Sequence, residues 1–126
     1  MTRIIVPAFV LLLAAPACRG NNPEEAIAYD VRTGGDALRG RQAIEEFNCG
    51  ACHTIPGVRG ARGLVAPPLF WFSRRTYIAG ELPNTPDNLV LWVRSPQDVE
   101  PKTAMPTLGL TEQQARDVAA YLSTLR

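Results

Sequence analysis

The sequence has few of the side chains that bind metals or build redox centres. Its 126 residues include one histidine, three cysteines and two methionines. A structural zinc ion takes four ligands, and after Cys49, Cys52 and His53 no second cysteine or histidine pair remains to complete the set. This scarcity argues against a structural zinc site.

Strand-like alternation, internal repeats and low-complexity segments are also missing. A thioredoxin-like dithiol lies within a βαβ pattern, so the lack of strands disfavours that chemistry too. No basic patch with interleaved aromatic residues is present, which argues against a nucleic-acid partner. We therefore expect an all-α fold with three to five helices.

Three helices are predicted from their caps and apolar spacing. The first follows Asp36, a good N-cap, and the second follows Thr85 and stops before Pro96. The third opens at Thr111, which can form a capping box with Gln114. Their expected apolar faces are Leu38, Ala43, Ile44 and Phe47; Leu89, Trp92 and Val93; and Ala115, Val118, Ala119, Leu122 and Leu125.

The first residues have the pattern of an export signal. Arg3 precedes an apolar run from Ile4 to Ala17 that ends in small residues, as secretory signals do. As a helix this run would measure about 21 Å, less than the roughly 30 Å of a bilayer's hydrocarbon core. We expect a signal peptide at 1–17, a tether at 18–35 and the folded domain at 36–126.

Cys18 directly follows the expected cleavage point. A lipoprotein peptidase cuts before a cysteine that then carries the lipid, and an exported protein rarely keeps an odd free thiol. We expect Cys18 to be lipidated, with ordinary signal-peptidase cleavage as the alternative. The protein would then be periplasmic, either anchored to the membrane as a lipoprotein or soluble.

The stretch Asn48-Cys49-Gly50-Ala51-Cys52-His53 contains the only histidine. Two thiols at this spacing, followed by histidine, are the pattern of covalent attachment to haem c. His53 would then be an axial ligand of the iron. Since Met1 leaves with the signal, Met105 is the remaining candidate for the second axial ligand. A chain this small builds a thin core, which a large apolar cofactor would complete.

From Asp36 to the C-terminus the sequence resembles the class I monohaem cytochromes c. The segments CGACHTI, APPL, GELPNTPDNLVLW, SPQDVEPKTAMPTLGLT and AAYLSTL occur in the family's order. They resemble in particular the cytochrome c domains that accompany, or are fused to, subunit II of bacterial haem-copper oxidases, although no copper-site sequence is present. The resemblance implies a small cytochrome c fold around one covalently bound haem, with electron transfer as its activity.

The resemblance also implies roles for single residues. The carbonyl of Pro67 would accept a hydrogen bond from the ring of His53, Trp92 would pack beside the methionine ligand, and Thr103 would reach a haem propionate. Ala66 stands where the family usually has glycine. The family's propionate-binding tryptophan has no counterpart, and three residues are candidates to replace it: Arg74, Tyr77 and Asn84. The family's helix-crossing positions correspond to Gly40, Ile44 and Tyr121.

An iron with both axial positions filled has no open site for a substrate, so we expect an electron carrier and not an enzyme. A histidine–methionine pair gives a higher reduction potential than two histidines. The resemblance implies a haem-copper oxidase as electron acceptor and a quinol-oxidising complex as donor. The alternative is a haem-based sensor or enzyme subunit with an open sixth coordination site.

Charge is unevenly distributed along the chain. Loss of Arg3 with the signal would lower Lys+Arg from 13 to 12, equal to the 12 acidic residues. Between residues 39 and 75, however, six arginines face only Glu45 and Glu46. We expect a basic rim near the cysteines, complementary to an acidic partner surface, built from Arg39, Arg41, Arg59, Arg62, Arg74 and Arg75.

Overall fold

The computed structural model describes residues 29–30 and 32–126. The predicted signal peptide at 1–17 and the predicted lipidation of Cys18 lie outside the described residues. The described part contains four helices: α1 (Ala37–Glu46), α2 (Pro86–Arg94), α3 (Pro96–Val99) and α4 (Glu112–Thr124). Within that part, no helix is both long enough and apolar enough to cross a membrane.

Short 3-10 turns and two-residue strands join the α-helices. Two 3-10 turns lie at Cys49–Ala51 and Phe72–Arg74. Strand β1 (Tyr29–Asp30) pairs with β2 (Gly35–Asp36), and β3 (Tyr77–Ile78) pairs with β4 (Leu82–Pro83), both antiparallel. The sequence predicted no strands, and these ladders correct that expectation. Strands of two residues are too short to show alternation, and the fold is mainly helical as predicted.

The helices begin where their capping residues predicted. The Asp36 carboxylate accepts bonds from two backbone N–H groups in the first turn of α1, both at 2.9 Å. The Thr85 hydroxyl accepts from the first turn of α2 at 3.3 Å, and Thr111 and Gln114 form the capping box of α4. The three longer helices therefore have local start signals, as the sequence indicated.

The crossing of α1 and α4 forms the centre of the core. Gly40 lies at the crossing, and a Cβ there would lie 1.9 Å from the carbonyl oxygen of Asp117. Ala43 and Ile44 are buried on the same side of α1. The prediction that Leu38 belongs to this face is wrong, because its side chain is 51% exposed. The buried face of α1 instead has the i, i+3, i+4 spacing that begins at Gly40. Glycine at this position allows the backbones of α1 and α4 to touch.

The segment before α1 also packs on α4. Thr33 is buried although the sequence assigned it to the tether, and its carbonyl accepts a bond from Arg116 at 3.0 Å. A Cβ at Gly35 would lie 2.1 Å from the Arg116 carbonyl oxygen. Contacts of the helical domain therefore extend before residue 36.

Asp117 joins these elements through a buried carboxylate. It accepts hydrogen bonds from the Asp36 N–H at 2.8 Å, from two Arg39 nitrogens at 3.0 and 3.1 Å, and from Gln113 at 3.0 Å. Burial alone would raise the pKa of Asp117, but these bonds and the Arg39 charge lower it below its usual value. The ionised carboxylate therefore ties β2, α1 and α4 together.

Candidate functional site

Cys49, Cys52 and His53 lie in one tight turn after α1. Asn48 ends the helix in the left-handed conformation with φ 54°, which asparagine adopts more readily than most residues. The N–H groups of Cys52 and His53 then both donate to the Cys49 carbonyl, at 3.3 and 3.0 Å. Residues i and i+3 eclipse in a 3-10 turn, so this backbone places the two cysteines on one side.

The loop of residues 60–66 packs directly on this cysteine turn. The Gly63 N–H donates to the Gly50 carbonyl and the Ala66 N–H donates to the Cys52 carbonyl, both at 3.0 Å. A Cβ at Gly63 would lie 2.4 Å from the Cys52 carbonyl carbon. Only glycine allows this approach, and the contact holds the cysteine turn against a second layer of backbone.

The orientation of the His53 ring is fixed by Pro67. The Nδ1 atom lies 2.7 Å from the Pro67 carbonyl oxygen, the contact that the resemblance implied. A carbonyl can only accept, so Nδ1 carries a proton and donates, and in the neutral ring Nε2 is the nitrogen that can bind a metal. This arrangement is the usual way in which an outer hydrogen bond orients a metal-binding imidazole.

Met105 lies in the loop between α3 and α4. Its N–H donates to the Thr103 hydroxyl oxygen at 3.3 Å, and the Thr103 hydroxyl hydrogen stays available to another acceptor. Trp92 is buried in α2. Met105 and Cys49 are both partly buried against the same apolar core. The methionine and one cysteine therefore border a shared apolar region.

The three candidates for propionate binding differ in what they can donate. Both amide hydrogens of Asn84 are used, at 3.1 and 3.0 Å from the carbonyls of Phe72 and Arg75. Asn84 therefore holds the 3-10 turn and has no donor left for a carboxylate, which corrects its candidacy. Arg74 lines a cleft of about 410 Å³, whereas Tyr77 is exposed and is not among the residues that line it.

That cleft is basic. Arg32, Arg74 and Arg126 line it together with polar residues, and no acidic side chain does. Arg32 is paired with Asp30 at 3.2 Å, whereas Arg74 forms no ion pair within the described residues. Arg74 is therefore the candidate with a charge available for a carboxylate, although none of Cys49, Cys52, His53 and Met105 lines this cleft.

The Cys49 thiol lacks the activation of a redox dithiol. Burial raises the pKa of the Cys49 thiol, whereas catalytic dithiols have a lowered pKa that favours the thiolate. The cysteine turn instead combines two thiols with an imidazole, and Met105 supplies a thioether in a loop that packs on the same apolar core. This is the donor set that haem c takes for covalent attachment and axial ligation, so the residues present fit that group.

A comparison with known families agrees with this chemistry. Residues 37–126 match the family described as Cytochrome c, and the chain belongs to that family. Members of the family carry covalently bound haem c, and Cys49 and Cys52 fit its Cys-x-x-Cys motif. The chain is therefore a mainly helical cytochrome c domain with four helices in its described part.

Three individual relatives show which proteins of known name this chain is similar to. Cytochrome c oxidase subunit 2 of Alkalihalophilus pseudofirmus is 37% identical over 92 residues, which cover 71% of this chain and 26% of that protein. The subunit of the same name from Bacillus sp. strain PS3 is 37% identical over 89 residues, covering 68% and 25%. Cytochrome c-type cyt cy of Rhodobacter capsulatus is 35% identical over 102 residues, covering 72% and 50%. The chain thus spans about a quarter of these oxidase subunits and half of cyt cy.

Proposed function

We propose that this protein is a single-electron carrier and not an enzyme. Cys49 and Cys52 would hold one haem c covalently, and His53 and Met105 would supply the nitrogen and sulfur ligands of its iron. When bound, haem c supplies an iron that changes between the ferric and ferrous states. The hydrogen bond from His53 to Pro67 is the observation that carries this proposal, because it orients the ring and leaves Nε2 as the nitrogen that would bind iron.

The surrounding residues have separate tasks in this proposal. Pro67 holds the imidazole ring and increases the basicity of Nε2. Trp92 and the core keep water from the side of Met105, while Thr103 holds the Met105 backbone and can donate to a propionate. Thioether ligation and apolar surroundings both disfavour the extra positive charge of a ferric iron, so they raise the reduction potential. We assign Arg74 to a propionate carboxylate.

The partners and location are proposed from the relatives and the sequence. Relatives named cytochrome c oxidase subunit 2 support a haem-copper oxidase as the electron acceptor. A quinol-oxidising complex is the proposed donor. We further propose export through residues 1–17, a lipid on Cys18 that anchors the protein at the membrane on the periplasmic side, and a tether between that lipid and the domain.

Covalent attachment is tested by replacing the two thiols. The parent protein, Cys49→Ser/Cys52→Ser and Ala51→Ser are produced in a host that matures c-type cytochromes, then unfolded and weighed by mass spectrometry. Ala51→Ser is the matched control, because it adds a hydroxyl inside the motif and keeps both thiols. We expect one haem on the parent and the control after unfolding, and none on the double variant. A colourless parent with two free thiols would contradict the proposal.

A further inference from the structure

The Tyr121 hydroxyl bonds to the loop that directly follows His53. It donates to the Pro56 carbonyl at 2.7 Å, and within the described residues no other group donates to that carbonyl. Burial raises the pKa of Tyr121, so at neutral pH the phenol keeps the proton that it donates. A half-buried tyrosine of α4 therefore holds the chain three residues beyond the histidine.

The residue after Pro56 shows how closely this hydroxyl approaches the loop. Gly57 has φ +76°, and a Cβ there would lie 2.5 Å from the Tyr121 oxygen. The positive φ and the close approach both favour glycine. At its other end Tyr121 belongs to the helix crossing, where its Cβ would lie 3.0 Å from a Cβ on Gly40. One side chain therefore connects the crossing of α1 and α4 to the loop after His53.

The loop after His53 is also paired with the segment that begins at Pro67. One bond is the 2.7 Å contact between the His53 Nδ1 atom and the Pro67 carbonyl. In the second, the Leu69 N–H donates to the Thr54 carbonyl at 2.8 Å. Because these two bonds join nearby residues of the same two segments, a shift of one segment against the other changes the His53–Pro67 distance.

The segment that begins at Pro67 is held by α4 as well. The N–H and the hydroxyl of Ser73 both donate to the Leu125 carbonyl, at 3.1 and 2.9 Å. Leu125 directly follows α4 and lies four residues after Tyr121, which is about 6 Å along the helix axis. The end of α4 therefore holds both segments, one through Tyr121 and the other through Leu125.

We propose that Tyr121 is a positioning residue for His53, because its bond to Pro56 fixes the loop that keeps the His53 ring within hydrogen-bonding distance of Pro67. The proposal rests on the proposed function of His53 as an iron ligand. A hydrogen bond from Nδ1 to a carbonyl makes Nε2 a more basic ligand, and a more basic ligand favours ferric iron. Loss of the Tyr121 bond should therefore loosen the His53–Pro67 contact and raise the reduction potential.

The first test is amide hydrogen exchange of the haem-loaded parent and Tyr121→Phe, which keeps the ring and removes only the hydroxyl. Ser123→Ala is the matched control, because it removes an α4 hydroxyl that bonds at 2.8 Å to the Ala119 carbonyl of its own helix. The Leu69 N–H, which bonds to Thr54, reports on the paired segments. We expect its exchange to rise about fivefold in Tyr121→Phe, equal to about 1 kcal/mol, and to stay unchanged in the control.

The second test is a redox titration, whose result a merely structural bond would not change. At the midpoint potential of the parent, the ratio of ferrous to ferric protein should rise at least about threefold in Tyr121→Phe, equal to about 28 mV. The ratio should not change in Ser123→Ala. Ser73→Ala loosens the other segment and should shift both measurements in the same direction but by less, because the Ser73 N–H still bonds to Leu125. This variant decides the matter if Tyr121→Phe does not accumulate.

Three results would count against these assignments. An unchanged potential in Tyr121→Phe, or in Ser73→Ala where only that variant accumulates, overturns the positioning role. Exchange that accelerates equally at Leu69 and at the Ile44 and Ala119 amides of the helix crossing also overturns it, because the bond would then only stabilise the whole fold. A parent that matures without covalent haem instead contradicts the electron-carrier function, and with it the ligand that Tyr121 would position.

Discussion

Replacing Gly40 with alanine adds one methyl group at the closest contact between α1 and α4. On the present backbone the new Cβ would lie 1.9 Å from the carbonyl oxygen of Asp117 and 2.5 Å from its carbonyl carbon. The Cβ of Tyr121 would be 3.0 Å away. The two nearest obstacles are backbone atoms in the interior of α4, which cannot rotate out of the way. The helices must therefore move apart.

The size of the effect follows from two opposing contributions. Alanine is favoured over glycine in a helix interior by about 1 kcal/mol, which stabilises the variant. Overpacking a core typically costs about 1–3 kcal/mol, and separating the helices also reduces the burial of Ala43 and Ile44, at about 0.8 kcal/mol for each methylene exposed. If about two methylenes lose their burial, the net loss is about 1.5–3.5 kcal/mol, which lowers Tm by roughly 10–20 °C for a domain of this size.

The assay is thermal unfolding of the haem-loaded parent, Gly40→Ala and Gln42→Ala, followed by circular dichroism. Gln42 is exposed on the same helix, so its replacement changes helix propensity without touching α4. The control should stay within about 0.5 kcal/mol of the parent. A Gly40→Ala protein that unfolds at the parent's temperature or above it would show that α1 and α4 do not cross at this residue.

Four other variants test separate parts of the structure. Asp117→Asn should cost about 2–3 kcal/mol at neutral pH, because Arg39 loses its charged acceptor. The folded-state pKa of Asp117 lies below the unfolded value of about 3.9. The difference in unfolding free energy between the parent and Asp117→Asn should therefore be full above about pH 3.9 and should shrink as the pH falls through the folded-state pKa. Urea unfolding of both proteins at neutral and acidic pH measures this difference. Met105→His should keep a six-coordinate iron and lower the potential, whereas Met105→Ala should admit carbon monoxide; redox titration and carbon monoxide difference spectra check both. Arg59→Glu/Arg62→Glu should slow second-order electron transfer to the oxidase in stopped-flow at low salt, with little change once the salt screens the charges.

Helix positions could be predicted because their signals are local. The hydroxyl or carboxylate of a capping residue bonds to N–H groups two or three residues away, so Asp36, Thr85 and Thr111 carry the information themselves. The buried face of α1 was harder to predict. Leu38 fits the apolar spacing as well as Gly40 does. The spacing alone could not choose between them, whereas the family resemblance assigned Gly40 to the helix crossing, where its contact with α4 lies.

The functional site, like the helices, could be predicted from the sequence only in part. Cys49, Cys52 and His53 are adjacent in sequence, so their pattern is visible without a structure. The packing of Gly63 on the cysteine turn and the bonds to the Asp117 carboxylate join distant segments, and no periodicity encodes them. The glycine at 63 was a signal for close backbone contact, because a Cβ there would lie 2.4 Å from the Cys52 carbonyl carbon. Asn84 was one of three candidates in the sequence, but its two amide donors bond to carbonyls that only the folded chain brings near.

The assignment of His53 and Met105 as the two axial ligands is tested most directly by the absorption spectrum of the purified protein, oxidised and reduced, extended into the near infrared. A six-coordinate, low-spin iron should appear in both states, with the weak sulfur-to-iron band in the oxidised protein. That band should disappear in Met105→Ala, and the parent should not bind carbon monoxide tightly. A high-spin oxidised spectrum, or tight carbon monoxide binding by the parent, would contradict the account and indicate an open sixth position.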